Sequence, residues 1–168
     1  MKDNVKKMTY AGLLTGLAII IPLYFGFLKV QAGPFTATLA SHVPVFLAMF
    51  FGPAAAVAVG IGSTLGFLIT TPLVVAARAF MHVFVGFVGA HLLKKGVDFK
   101  IVILITAPIH GILEAIAVIP FGFNMYKVLV VVGIGTVLHH LVDGIISFAL
   151  AKALSKTGKT EFAAKAGN

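Results

Sequence analysis

The chain contains no cysteine. Disulfides, thiolate metal sites and cysteine nucleophiles are therefore excluded. Charge is scarce as well: 11% of the 168 residues are Asp, Glu, Lys or Arg, against about a quarter in a soluble domain. The single arginine, Arg78, lies in "LVVAARAFMHVF", where every close neighbour is apolar. No Walker sequence is present, so this chain has no ATP-hydrolysing motif of its own. "HGILEA" places Glu114 four positions after His110 with no second histidine in register, which removes the HExxH pattern of a metalloprotease. The apolar stretches are continuous rather than alternating, which argues against a transmembrane barrel. No internal repeat is visible, and no enzymatic activity is expected.

What is present is hydrophobic. Apolar residues make up 60% of the chain, more than a water-soluble surface can hide, so its natural solvent is a bilayer. In lipid the backbone must satisfy its own hydrogen bonds, which selects helices. The expected fold is an all-α integral membrane protein with six transmembrane helices. The spans run from about Thr9 to Leu28, Leu39 to Phe51, the break at Phe51-Gly52-Pro53 to Thr70, Leu73 to Leu93, Ile101 to Ile119, and Val128 to Leu154. A full crossing takes roughly 20 apolar residues. The second and third spans are short, as tilted helices inside the bundle or a re-entrant pair would be. The run "AGLLTGLAIIIPLYFGFL" is long enough to span and lacks a convincing cleavage site, so it reads as a retained first helix. Residues 1–168 form one membrane domain, with about 155–168 a flexible cytoplasmic tail.

The net charge of +8 does not mark a nucleic-acid binder, because the lysines fall in short clusters between apolar runs, where topology signals and headgroup contacts lie. Six spans put both termini on one side. Lys2, Lys6, Lys7, Lys94, Lys95, Lys100, Lys152, Lys156, Lys159 and Lys165 share that side, and only Lys29 and Lys127 face the other. The positive-inside rule then makes both termini cytoplasmic.

Polar residues inside the spans are the candidates for function. Arg78 lies about 8 Å below the outer boundary and Glu114 about 9 Å, on consecutive antiparallel helices. Pairing would relieve the burial cost of both. His82 and His110 lie one turn deeper on the same faces, and His139 and His140 reach a similar depth on the sixth span. Neighbours on a helix diverge by about 100°, so one of these two is expected to face elsewhere. Asp143, one turn below His139, suits a structural partner of it, and His91 an interfacial position. The outer loop "KVQAGPFTATLASHVP" is rich in helix-resistant residues and is expected to fold over the cavity, with His42 near its mouth. "FGFNMYK" on the same side offers Phe123, Asn124 and Tyr126 to a flat polar ligand, or aromatic anchors to the interface. In the first span, Gly12 and Gly16 with Ala11 and Thr15 make a small-residue stripe that lets another helix approach.

The chain resembles the substrate-binding S components of energy-coupling factor (ECF) transporters from about Lys7 to Leu154. "ASHVPVFLAMFFGP", "GSTLGF" and "RAFMHVFVG" look most like the niacin-type branch, with pantothenate, pyridoxine and hydroxymethylpyrimidine binders as alternatives. The resemblance implies high-affinity capture of a small water-soluble vitamin from outside, at a bacterial cytoplasmic membrane. It implies toppling onto a membrane-embedded T component coupled to two ATPase subunits. Docking would use Ala11, Gly12, Thr15 and Gly16. Binding would use Arg78, His82, His110, Glu114, Asn124 and His139, with His42 from the first outer loop. No metal or cofactor is implied. A guanidinium fork suits a vitamin carboxylate, but if Glu114 neutralises Arg78 a neutral ring fits too. Three other readings stand beside this one: a structural membrane subunit, a haem anchor using His82, His110, His139 and His140, and a small secondary transporter using the ion pair as a proton relay.

Overall fold

In the computed structural model, which describes residues 2–157 and 160–163, the chain is helical apart from one hairpin. Helix α1 (Lys2–Tyr24) leads through a short 3-10 turn to strands β1 (Lys29–Ala32) and β2 (Phe35–Thr38). The strands are antiparallel, with Lys29 opposite Thr38 and Ala32 opposite Phe35, and Gly33 turns the chain at a φ of 59°. Then follow α2 (Val43–Ala48), a 3-10 turn (Met49–Phe51), α3 (Pro53–Thr70), α4 (Leu73–Lys94) and α5 (Phe99–Val118). A π-helical stretch, Lys127–Ile134, runs into α6 (Gly135–Lys156), and α7 (Thr160–Ala163) closes the described chain. Among the described residues, five helices are long and apolar enough to cross a membrane: α1, α3, α4, α5 with its 3-10 extension, and α6 with the π-helical stretch. The fold is that of an all-α, multi-pass membrane protein.

The second expected span is the main departure. Only Val43–Phe51 is helical there, about 14 Å at helical rise and less than half of the hydrocarbon thickness. Residues 39–42 are turn instead. The short helix survives because protein surrounds it: every residue from Val43 to Phe51 is buried. Non-helical backbone at membrane depth is tolerated only under such cover. Gly52, at a φ of 107°, reverses the chain, and Pro53 opens α3 where its missing N–H has no cost.

Packing defines two ends of the bundle. At one, Tyr10 stacks on Phe51 at 4.5 Å, Phe50 meets Phe99 and Phe162 at 4.7 Å each, and Lys6 pairs with Glu161. At the other, Phe35 of the hairpin, Val74 and Phe123 cover a cluster of Ala115, Val118, Val128 and Val132. Part of the stretch expected as a flexible tail is thus helical, with Phe162 only 3% exposed; residues 158–159 and 164–168, including Lys159 and Lys165, lie outside the described ones.

Close helix approach falls on different glycines from those of α1. A Cβ on Gly60 of α3 would lie 2.8 Å from the Val83 backbone, and one on Gly66 would lie 2.9 Å from Ile19 Cα. Thr15 of the expected stripe is spent inside the chain, packed on Gly62, whereas Gly12 and Gly16 face open space. Gly60→Leu should therefore destabilise the detergent-solubilised chain by about 1–3 kcal/mol through overpacking, and Gly12→Leu should not. Thermal unfolding of the two variants checks this; equal midpoints would show that α3 and α4 do not meet at Gly60.

Candidate functional site

Arg78 on α4 and Glu114 on α5 meet as the depths of their helices require, each 3% exposed. Nε of Arg78 donates to Glu114 Oε2 at 2.8 Å, and Nη2 lies 2.7 Å from the same oxygen. The remaining N–H groups reach the hairpin. Nη1 donates to the Pro34 carbonyl at 3.1 Å and to Thr36 Oγ1 at 3.3 Å, and Nη2 donates to the Thr36 carbonyl at 3.2 Å. Every guanidinium nitrogen is thus engaged, by four hydrogen bonds and the Nη2–Oε2 ion-pair contact, and the Phe35 ring lies 5.1 Å from the guanidinium carbon. Thr136 of α6 adds a hydroxyl donor to Glu114 Oε2. The β1–β2 hairpin therefore folds over the pocket, fastened by the one arginine.

Below this layer the histidines converge. The His42 ring lies 4.7 Å from that of His82, 4.8 Å from His110 and 4.3 Å from His139. His42 sits at the centre of the cluster, 3% exposed, and not at the cavity mouth as expected, because the descending loop carries it to the start of α2. Asp143 fixes that descent. Its carboxylate accepts from Ala40 N at 2.8 Å and from His42 N at 3.0 Å. This holds Ala40 at a φ of 67°, a conformation that alanine adopts only at a cost. The same carboxylate lies 3.2 Å from His139 Nε2, the structural pairing expected of it, and 2.9 Å from His42 Nδ1.

Neither His139 nor His140 faces away from the bundle interior, contrary to expectation. His139 points to the hairpin, with Nε2 3.1 Å from the Thr38 carbonyl. His140 turns toward α5, where its Nδ1 lies 3.0 Å from His110 Nδ1 and its Nε2 3.1 Å from both Thr106 Oγ1 and the Ile103 carbonyl. A helix wedged between two neighbours buries two faces, so a 100° divergence keeps both imidazoles inside. Asn124 is not brought to the cluster: it is exposed, and its Oδ1 caps the backbone N–H of Lys127 at 3.0 Å. Tyr126 is exposed, and Phe123 packs on the outer apolar cluster. Sequence reasoning missed the hydroxyl partners Thr36, Ser63, Thr106 and Thr136. Their signal is faint, since isolated Ser and Thr in apolar helices usually bond their own backbone.

Thr36, Thr38, Ser41, His42, Arg78, His82, Glu114 and His139, with Phe67, Val75 and Ala79, line a partly open pocket of about 20 Å³, room for about one water. The ligand atoms of His42, His82, His110 and Glu114 lie within 4.8 Å of one another, and those of His42, His139 and Asp143 form a second such group. The arrangement offers a fork for an anion above and convergent imidazole nitrogens below.

The sequence is 35% identical, over an alignment 184 positions long that covers 99% of this chain and 82% of the relative, to the niacin transporter NiaX of Lactococcus lactis subsp. cremoris (strain MG1363). No protein-family model matches the chain, and no solved structure matches it.

Asp143→Asn should loosen the loop, because an amide NH₂ cannot accept the second backbone donor; leaving one buried donor unpaired costs about 1–3 kcal/mol. Hydrogen exchange at Ala40 and His42 should accelerate in this variant and stay unchanged in Asp98→Asn. Unaltered exchange at both positions would show that Asp143 does not anchor the loop.

Proposed function

The chain belongs to the niacin-type S components of ECF transporters, and we propose that it captures nicotinate, or a pyridine carboxylate like it, through Arg78. The observation that carries this reading is the allocation of the guanidinium. Nε donates to Glu114, which Nη2 also approaches, and three further hydrogen bonds from Nη1 and Nη2 go to Pro34 and Thr36 of the hairpin. A carboxylate that takes over hairpin-facing donors gains paired charge-assisted hydrogen bonds, while Glu114 keeps Arg78 aimed. The pocket under the hairpin, about 20 Å³, is smaller than a pyridine ring, so the vitamin enters when β1 and β2 lift and is covered when they return. His139, bonded to the Thr38 carbonyl, helps the hairpin close.

Orientation and partners follow from the same reading. The end of the bundle that gathers Lys6, Phe51, Phe99 and Phe162 carries most of the lysines and is the cytoplasmic one by the positive-inside rule. Counting the descending loop and α2 together as one crossing gives six crossings, with both termini inside. The membrane is the bacterial cytoplasmic membrane. The open face of α1, with Gly12 and Gly16, is where a T component with its two ATPases docks; Gly12 and Gly16 carry nothing within 4 Å of a built Cβ, whereas Ala11, like Thr15, packs inside the chain. ATP is hydrolysed by those partners, and this chain is not an enzyme.

Arg78→Lys keeps a charge against Glu114 but loses the fork, so calorimetric titration should show nicotinate binding weakened at least tenfold, with the helix content retained. Nicotinamide should bind the unaltered chain more weakly than nicotinate does. If nicotinamide and nicotinate bind equally well, and Arg78→Lys leaves both unchanged, the clamp assignment is wrong. Gly12→Trp and Gly16→Trp should leave nicotinate binding intact and abolish uptake in cells; uptake surviving both changes would place the docking face elsewhere.

A further inference from the structure

The hydrogen bonds behind His110 have only one consistent direction. The hydroxyl of Thr106 donates to the Val102 carbonyl at 2.7 Å, so toward His140 Nε2 it can only accept. The Ile103 carbonyl, also 3.1 Å from that nitrogen, is an acceptor as well. The proton of a neutral His140 therefore sits on Nε2, and its Nδ1 offers a lone pair to His110 Nδ1, 3.0 Å away. His110 then carries its own proton on Nδ1, which leaves the lone pair of Nε2 facing Glu114 Oε1 at 3.2 Å. Two acceptors face each other in a fully buried place, and His110 Nε2 makes no hydrogen bond. Glu114 Oε2 is already used by Arg78 and Thr136, so Oε1 is the oxygen left over. A buried lone pair opposite a buried carboxylate is costly unless a cation lies between them.

Two further imidazoles border this gap. His82 binds Ser63 Oγ through Nδ1 at 2.8 Å, which leaves its Nε2 for another partner, and His42 reaches Asp143 through Nδ1. His82 and His110 are thus held from behind by a second polar group, the arrangement that orients imidazoles toward a metal, whereas His42 Nδ1 lies 2.9 Å from Asp143 Oδ2 and, like His110 Nε2, makes no hydrogen bond. The spacing also fits. An imidazole bound through nitrogen at 2.0–2.1 Å puts its ring centroid about 3.2 Å from the ion, so two rings on a tetrahedral ion lie about 5.2 Å apart. The rings of His42, His82 and His110 are separated by 4.7, 4.8 and 5.2 Å.

We infer that His42, His82, His110 and Glu114 Oε1 form a binding site for a divalent transition-metal ion of the zinc and cobalt class. Three nitrogens and one carboxylate oxygen suit such borderline ions and not calcium or magnesium. The ion ties the foot of the outer loop to α4 and α5. It also adjusts the charge of the cavity, a point that rests on the nicotinate reading. With neutral imidazoles, Arg78 stands against Glu114 and Asp143, so an anionic vitamin would enter a site already negative by one charge. A divalent ion brings the site with its vitamin to neutrality, the state that burial favours.

The test uses the full chain in detergent, stripped with EDTA and dialysed against Co²⁺ alone. One ion per chain is expected, with the visible d–d band of tetrahedral cobalt. His42→Ala and His82→Ala should each weaken Co²⁺ binding at least tenfold, whereas His91→Ala, outside the cluster, should not. Nicotinate titrated on the same preparation should bind at least tenfold tighter with Co²⁺ than with EDTA. A folded, nicotinate-binding chain that takes up no Co²⁺ overturns the metal site and leaves the vitamin reading intact. Uptake of Co²⁺ without any nicotinate binding supports the ion site and overturns the vitamin reading. Nicotinate affinity that is equal in Co²⁺ and EDTA overturns the charge linkage.

Discussion

A guanidinium buried at membrane depth must be paired, and the architecture around Arg78 follows from that requirement. Removing a carboxylate and a guanidinium from water costs several kcal/mol for each ion. Glu114 meets part of the demand from α5, and Thr136 ties the same carboxylate to α6. The two oxygens of Glu114 cannot reach every N–H of the fork. The rest must come from backbone carbonyls, and helices in lipid have none to spare. The outer hairpin supplies them from Pro34 and Thr36. The charge that is costly to bury is thus what draws an irregular segment into the bundle, and the segment that completes Arg78 is also the cover of the cavity.

The same economy governs the second buried carboxylate. Asp143 holds the turn below the hairpin through two backbone N–H groups, and this lets the chain reach mid-bundle without a helix. A half-length α2 is the consequence. It starts beside the histidines and ends against Phe99 and Phe162 at the opposite end of the bundle through its neighbouring phenylalanines. The hairpin is held by Arg78 at Pro34 and Thr36 and by His139 at Thr38, with Asp143 on the turn that follows, and a ligand able to replace the Arg78 set shifts the balance between open and closed covers.

Much of this was legible in the sequence. Long apolar runs locate α1, α3, α4, α5 and α6, because spanning length and continuous hydropathy have few other solutions in lipid. Helical rise alone brought Arg78 level with Glu114, and His82 level with His110. Legibility failed where the chain is not helical. Val43 to Phe51 is apolar throughout, so nothing in its composition distinguishes a short interior helix from the end of a spanning one; the determinant is Asp143, about a hundred positions away. His42 followed the same error, drawn to the mouth by its loop when the loop itself descends. Asn124 was misplaced because an amide near a helix start serves equally well as a cap, and here it caps Lys127. Gly12 and Gly16 carry the spacing of a close contact, yet within this chain the contacts fall on Gly60, Gly62 and Gly66; spacing shows that an approach is possible, not which helix makes it.

The central claim is that this buried fork and its hairpin cover exist to hold a vitamin carboxylate. Mass spectrometry of the small molecules released when the purified, detergent-solubilised chain is denatured tests it most directly. The account predicts nicotinate or a close pyridine carboxylate in near-stoichiometric amount, after purification or after incubation with nicotinate. A chain that releases no such molecule after incubation would leave Arg78 and Glu114 as a structural ion pair and contradict the account.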